Sequence, residues 1–253
     1  MIRILVWCEH EQDRFQEDVK AAYPEFMHNA IANFLREDPN FEVKTATLQD
    51  DPETCGITDE VLANTDVIIW WGHVKHHAVP DAVAEKVQKF VLGGGGFIPL
   101  HSAHFCKPFI RLMGVTCGLS VDGFGKHVIN CVRPGHPITK GVPELFSLPV
   151  EERFVEFYDI PQPDELIYVT GYETGRVFRS GCAYFRGRGK VFYFQPGHET
   201  VPTYYNEHVQ KILANAIRWA APKDTAGYNL VNFAPCVGGE FVSDDEFDFF
   251  KKN

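Results

Sequence analysis

The 253-residue sequence contains no apolar run near the roughly 20 residues that cross a bilayer. Its first segment, Met1 to Trp7, is too short for a leader and is followed at once by charge and histidine. The expectation is a buried first strand in a soluble, cytoplasmic protein with no membrane partner. Basic residues are few: 24 Lys and Arg stand against 34 Asp and Glu, a formal net charge of −10. No basic cluster is present, which argues against nucleic acid as a partner, because neutralising phosphates takes grouped Lys and Arg. The seven cysteines (Cys8, Cys55, Cys106, Cys117, Cys131, Cys182, Cys236) are odd in number and include no C-x-x-C pair. Reduced thiols are therefore expected, not a disulfide framework. The dinucleotide fingerprint G-x-G-x-x-G is missing after the first strand, so no nucleotide cofactor is expected. The nucleophile motif G-x-S-x-G, internal repeats and low-complexity blocks are missing as well.

What is present is a core: 45% hydrophobic and 13% aromatic residues, spread along the whole chain. Ile2 to Trp7, Phe41 to Leu48, Asp66 to Trp71 and Phe97 to Leu100 read as strands, and the third of these is a continuous apolar run of the kind covered on both faces. Between them, Tyr23 to Arg36 and Pro80 to Leu92 carry apolar residues at helical spacing, the second opened by Pro80 and closed by Gly93 to Gly96. A further helix is expected toward Met113. This alternation predicts an α/β fold, a doubly wound and mostly parallel sheet with helices on both faces. From His127 the spacing shortens: His127 to Val132, Arg153 to Tyr158, Leu166 to Thr170, Arg176 to Ser180, Cys182 to Arg186 and Val191 to Gln195 leave no room for helices, so added antiparallel strands are expected. A helix over Tyr204 to Ala220 closes the domain, 1–222. The tail, 223–253, turns to Gly, Asn, Asp and Phe; its Tyr228, Phe233, Phe241, Phe247, Phe249 and Phe250 predict an arm that makes a homo-oligomer.

In an open parallel sheet, ligands bind beyond the carboxyl ends of the strands. Histidines follow four of the predicted strands there: His10 the first, His73, His76 and His77 the third, His101 and His104 the fourth, and His198 the last. The sharpest local signal is Gly93-Gly94-Gly95-Gly96-Phe97-Ile98-Pro99-Leu100-His101-Ser102-Ala103-His104, a short strand that turns into a helix and presents His101 on a tight elbow.

This elbow, the segment from His136-Pro137-Ile138-Thr139-Lys140-Gly141 to Val155-Glu156-Phe157-Tyr158, and Gly187-Arg188-Gly189-Lys190 through Gly197-His198-Glu199 together resemble the trehalose utilisation (ThuA-like) family. The resemblance spans about residues 1 to 220. It implies a class I glutamine amidotransferase-like, flavodoxin-like fold and a role in disaccharide or keto-sugar metabolism. In amidotransferases of that fold the elbow carries a Cys nucleophile, and a catalytic His and acid follow the last strand. Their places here are taken by His101, and by His198 with Glu199. The missing Cys argues against glutaminase activity.

The residues themselves leave two chemistries open. In one, His101, His104 and His198, with Glu199 or Glu156 nearby, hold a divalent metal, Zn being favoured by imidazole ligands, with a position left for water or a sugar oxygen. In the other, His101, His198, Glu199 and Glu156 act directly as acid and base beside a sugar carbonyl. His73, Ser102, Tyr158 and His28 are candidate substrate contacts. A hydrolase using Ser102 with His198 is a third reading, and a non-catalytic sugar-binding or assembly protein on the same scaffold is the alternative to an enzyme. Plainer roles are expected elsewhere: His76 and His77 in a solvated loop, His127 and His136 structural, Trp70 and Trp71 in the core, and Cys106 buried without reactivity.

Overall fold

A computed structural model describes residues 1–222, and the expected aromatic arm at 223–253 lies outside the described residues. Met1 to Pro222 forms a compact unit. Its elements are β1 (Ile2–Cys8), α1 (Gln12–Phe15), α2 (Glu17–Ala22), α3 (Met27–Arg36), β2 (Phe41–Thr47), α4 (Asp59–Ala63), β3 (Val67–Trp71), α5 (Asp81–Leu92), β4 (Gly96–Leu100), α6 (Lys107–Met113), β5 (Ser120–Cys131), β6 (Leu145–Val155), β7 (Glu165–Gly171), β8 (Val177–Arg186), β9 (Gly189–Phe194) and α7 (Glu207–Ala220). They build one nine-stranded sheet in the order β2-β1-β3-β4-β9-β8-β7-β5-β6. The strands from β2 to β9 in that order pair in parallel, and β8, β7, β5 and β6 extend the sheet in antiparallel fashion.

The strand period of two decides which residues meet which helices. On one face Ile4, Val6, Ile69, Ile98 and Phe192 pack with Met27, Ile31 and Leu35 of α3 and with Val209, Ile212 and Ile217 of α7. On the other, Leu5, Trp7, Ile68, Trp70 and Phe97 pack with Val83, Val87 and Val91 of α5 and Phe109 and Leu112 of α6. Trp7 and Trp70 stack there with ring centroids 3.8 Å apart, and Trp70 is fully buried.

Several boundaries differ from the sequence reading for local reasons. The helix expected from Tyr23 starts later, at Met27: Tyr23 caps α2, which the periodicity did not mark, and the chain turns through Phe26, at φ +66, before α3 begins. The two short strands around Ser180 are one strand, β8, which runs on through Gly181: that glycine pairs with Tyr168 of β7 and lies close against its ring, with register shifts on either side of the pair. The strand sought at Arg153 to Tyr158 lies earlier, Leu145–Val155, and that displacement brings Glu151 and Glu152 into the sheet. Among the described residues no helix is long and apolar enough to cross a membrane. The six cysteines among them are all free.

Candidate functional site

The carboxyl ends of β3, β4 and β9 lie side by side, and each is followed by a histidine. β3 ends in Trp71-Gly72-His73, β4 in Leu100-His101, and β9 in Phe194 with His198 four residues on. The centroids of the His73 and His198 rings are 5.4 Å apart, those of His101 and His198 5.4 Å, and those of His73 and His101 6.0 Å. His101 takes φ +50, a left-handed conformation that a residue with a Cβ adopts only when its surroundings enforce it. The elbow aims its fully buried ring along the sheet edge, where it stacks on Phe154 of β6 at 4.8 Å.

Hydrogen bonds set the tautomers. His101 donates from Nδ1 to the Gln195 carbonyl at 2.9 Å, so Nε2 of the neutral ring carries a lone pair. That Nε2 lies 3.2 Å from Glu152 Oε2, yet it is buried and has no hydrogen-bond partner. A proton or a cation between the two would relieve the repulsion of a lone pair facing a carboxylate. His198 has the opposite tautomer: its Nδ1 accepts from the Thr200 N–H at 3.2 Å, which leaves the proton of the neutral ring on Nε2. Burial pushes His198 down to about 4, so it is neutral at physiological pH. His73 Nδ1 donates to Glu199, with both carboxylate oxygens at 2.9 Å. Burial alone would lower His73, but the Glu199 carboxylate outweighs it and raises the imidazole above its ordinary value. Glu199, although buried, is pulled down to about 2 by the same His73 contact. His101 and His198 thus present opposite tautomers beside His73, whose protonated form its carboxylate partner favours, an arrangement that can separate an acid from a base.

Two buried carboxylates hold the loops that carry these rings. Glu9, just after β1, accepts the N–H groups of His73 and Lys75 through one oxygen, each at 2.9 Å, and that of Val74 through the other at 3.0 Å. Glu151 is wholly buried; it accepts from Gly197 N at 2.8 Å, His198 N at 3.0 Å, Glu152 N at 3.0 Å and the Thr203 hydroxyl at 2.6 Å. Gly197 has φ +136, and a Cβ there would meet the Tyr204 hydroxyl, so the backbone approach to His198 requires glycine.

Other candidates stand apart from this triangle. His104 is buried; its Nδ1 donates to the Cys117 carbonyl at 2.8 Å, burial pushes it down to about 3, and its ring packs against Phe105, Phe154 and Tyr158. The groups able to hold a metal at the sheet edge are His101–Glu152–His198 and His73–His198–Glu199, and His104 belongs to neither. Glu156 is bound to Arg179, at 2.8 Å to Nε, and Tyr158 is fully buried with its ring stacked on Phe178. Ser102 is buried and, among the described residues, shares no hydrogen bond with His198. His28 is not part of the triangle and lies beside His10 and Asp13. His76 is half-buried, and burial pushes it down to about 4. The acidic partner that sequence reasoning missed is Glu152. Its only signal was the Glu151-Glu152 doublet entering an apolar run, and a strand alternates such neighbours between environments.

The sheet, with histidines on an elbow after β4 and on a loop after β9, has a class I glutamine amidotransferase-like fold, here with His101 on the elbow. The profile of the trehalose utilisation (ThuA) family matches residues 3–220, and the chain belongs to that family. No curated protein matches the sequence significantly. Among solved structures, a ThuA-like protein from Parabacteroides merdae superposes with a TM-score of 0.69 at 15% identity, over 87% of this chain and 89% of that one. A cytoplasmic protein from Salmonella typhimurium gives 0.57 at 13% identity, covering 88% and 100% of the two chains. A glutamine amidotransferase from Thermotoga maritima gives 0.52 at 12% identity, covering 86% and 97%. At these identities the likeness is one of fold.

Proposed function

We propose that this protein acts on a sugar or keto-sugar by moving a proton beside its carbonyl, the step common to isomerisation and elimination. The observation that carries this reading is the buried, unpartnered Nε2 of His101, whose lone pair is fixed by the Gln195 carbonyl and backed by Glu152. In this scheme His101 Nε2 takes the proton from the carbon next to the carbonyl. Neutral His198 stabilises the carbonyl oxygen with a hydrogen bond from its Nε2–H as negative charge develops there, and His73, whose protonated form Glu199 favours, returns the proton. Phe124 lies edge-on to His198 at 4.8 Å and is exposed, an aromatic face of the kind that suits the apolar side of a sugar ring. The family's link to trehalose utilisation supports the substrate class, and the cytoplasmic neighbour from Salmonella supports a cytoplasmic location.

The same residues fit a divalent metal in part. His101 and Glu152 offer Nε2 and a carboxylate oxygen without rearrangement, and two nitrogens with one oxygen suit Zn. His198 would have to move its proton to Nδ1, and the Thr200 N–H would then lose its acceptor. A bound ion would polarise the carbonyl oxygen in place of the His198 N–H. Exchange of the proton next to the carbonyl of a keto-glycoside for solvent deuterium, followed by NMR, tests the proposal. The chain should catalyse exchange, and His101→Asn, which tolerates the left-handed elbow, should lower the rate by about a hundredfold or more. Exchange no faster than in buffer, or undiminished in H101N, would sink it. Elemental analysis of both proteins decides the metal: a stoichiometric ion lost in H101N favours the metal form.

A further inference from the structure

Outside this triangle, a second group of ligating side chains gathers where the order of the parallel strands reverses, between β1 and β3. His10 follows β1, Asp13 lies on α1, and His28 is the second residue of α3; one potential ligand atom from each lies within 4.8 Å of the others. Two left-handed residues bring them together: His10 itself at φ +50 and Phe26 at φ +66, two residues before His28. The His10 and His28 rings meet edge to face at 4.9 Å, and His10 Nδ1 is 2.9 Å from Asp13 Oδ1.

Three features mark the group as incomplete. The Asp13 carboxylate is buried, at 5% exposure, and among the described residues its ion-pair partner is His10. The cations close by, Arg14 and Lys75, turn instead to Glu11, at 3.6 and 3.7 Å. His28 is 8% exposed and its Nδ1 has no hydrogen-bond partner. Beside the cluster is a cavity of about 10 Å³, room for a single water, lined by Cys8, His10, Gln12, Asp13 and Glu199 and by the apolar Val19, Met27 and Trp71, and the buried Gln12 Oε1 is unpartnered as well. A negative charge lies with two imidazoles, one of them with an orphaned nitrogen, and His10, Asp13 and the Gln12 side chain with its orphaned Oε1 border a water-sized space.

We propose that His10, Asp13 and His28 bind a divalent metal ion, Zn being the best match, separate from the chemistry of the His73–His101–His198 triangle. Two imidazoles and one carboxylate supply three ligands, and the cavity leaves the fourth position to a water that can donate to Gln12 Oε1. Tetrahedral ligands about 2.0–2.1 Å from Zn are about 3.4 Å apart, so modest side-chain rotations complete the site. The proton that now joins His10 to Asp13 is the one the ion displaces, and the carboxylate charge is then matched. The ion would also fix α1, whose Gln12 donates to Glu199, the partner of His73, so that it acts on the triangle by position.

Co²⁺ titration of the chelator-treated, dialysed full chain, read by its visible ligand-field absorbance and by equilibrium dialysis, tests the site. His10→Asn removes one ligand while keeping a residue that accepts φ > 0, and His28→Gln removes another. Each should weaken binding of one equivalent by about a hundredfold or more, with far-ultraviolet circular dichroism unchanged for H10N. His101→Asn should retain that equivalent, which separates this site from any ion held by the triangle. A wild-type chain that binds no Co²⁺, or an H10N variant that binds as tightly as wild type, would overturn the assignment.

Discussion

Glu151 is the residue through which packing is expected to control the site, and the consequence of removing it follows from its four hydrogen bonds. Oε1 accepts from Glu152 N and His198 N, and Oε2 from Gly197 N and the Thr203 hydroxyl. In Glu151→Gln the amide oxygen can keep the first pair, because the two backbone donors there have no alternative. The amide nitrogen then faces Thr203, whose hydroxyl can turn to accept, and the Gly197 N–H, which cannot. One buried donor is orphaned, at a cost of about 1–3 kcal/mol. Glu151→Ala orphans all three backbone donors and leaves a cavity as well, for a total of about 5 kcal/mol. Urea unfolding with a slope of about 3 kcal/mol per molar should place the Gln midpoint about 0.7 M below wild type and the Ala midpoint about 1.7 M below. Deuterium exchange should fall in the same order, since the released backbone carries His198. Midpoints of both variants within about 0.3 M of wild type, or Gln more harmful than Ala, would refute the reasoning.

Stability should depend steeply on pH. His104, His127 and His198 are buried and pushed down to about 3, 4 and 4, so the unfolded chain takes up their protons near pH 6.5 while the folded chain does not. Stability is complete above that pH and falls as pH drops toward 4, with a slope approaching about 4 kcal/mol per unit; equal urea midpoints at pH 7.5 and 5.5 would contradict this. His73 has the opposite sign. Its raised value keeps the Glu199 contact intact below 6.5 and loses it as pH rises through the folded value, so exchange activity should decline on the alkaline side and His73→Gln should abolish that limb. Gly197→Ala combines a positive φ with a clash against buried Tyr204 and should cost about 3 kcal/mol, lowering the melting temperature by about 6–12 °C; an unchanged melting curve would show that the turn relaxes freely.

The parallel half of the fold was legible because its signals are local. Buried strands such as Val67–Trp71 are continuous apolar runs, and α5 has both its stop at Gly93 and its apolar stripe in sequence. The elbow at His101 was legible for the same reason, as was the placing of His73 and His198 after strands. The antiparallel half was less so. Its strands are longer but irregular, and register shifts between β5 and β6 let Glu151 and Glu152 enter where the alternation did not mark them.

The sequence by itself determined the order of the parallel strands and their main helices and the side of the sheet at which histidines accumulate, through periodicity and spacing within a few neighbours; the family followed from the resemblance of its motifs. Only the tertiary structure decided which histidines meet. Rings 97 residues apart in the chain, His101 and His198, are neighbours because β4 and β9 pair in parallel, whereas His104, three residues from His101, points into the core. It also decided their protonation, since the carbonyl of Gln195, the N–H of Thr200 and the carboxylates of Glu152 and Glu199 set each tautomer. Proton positions depend on contacts within a few ångströms, and no spacing in the sequence encodes those.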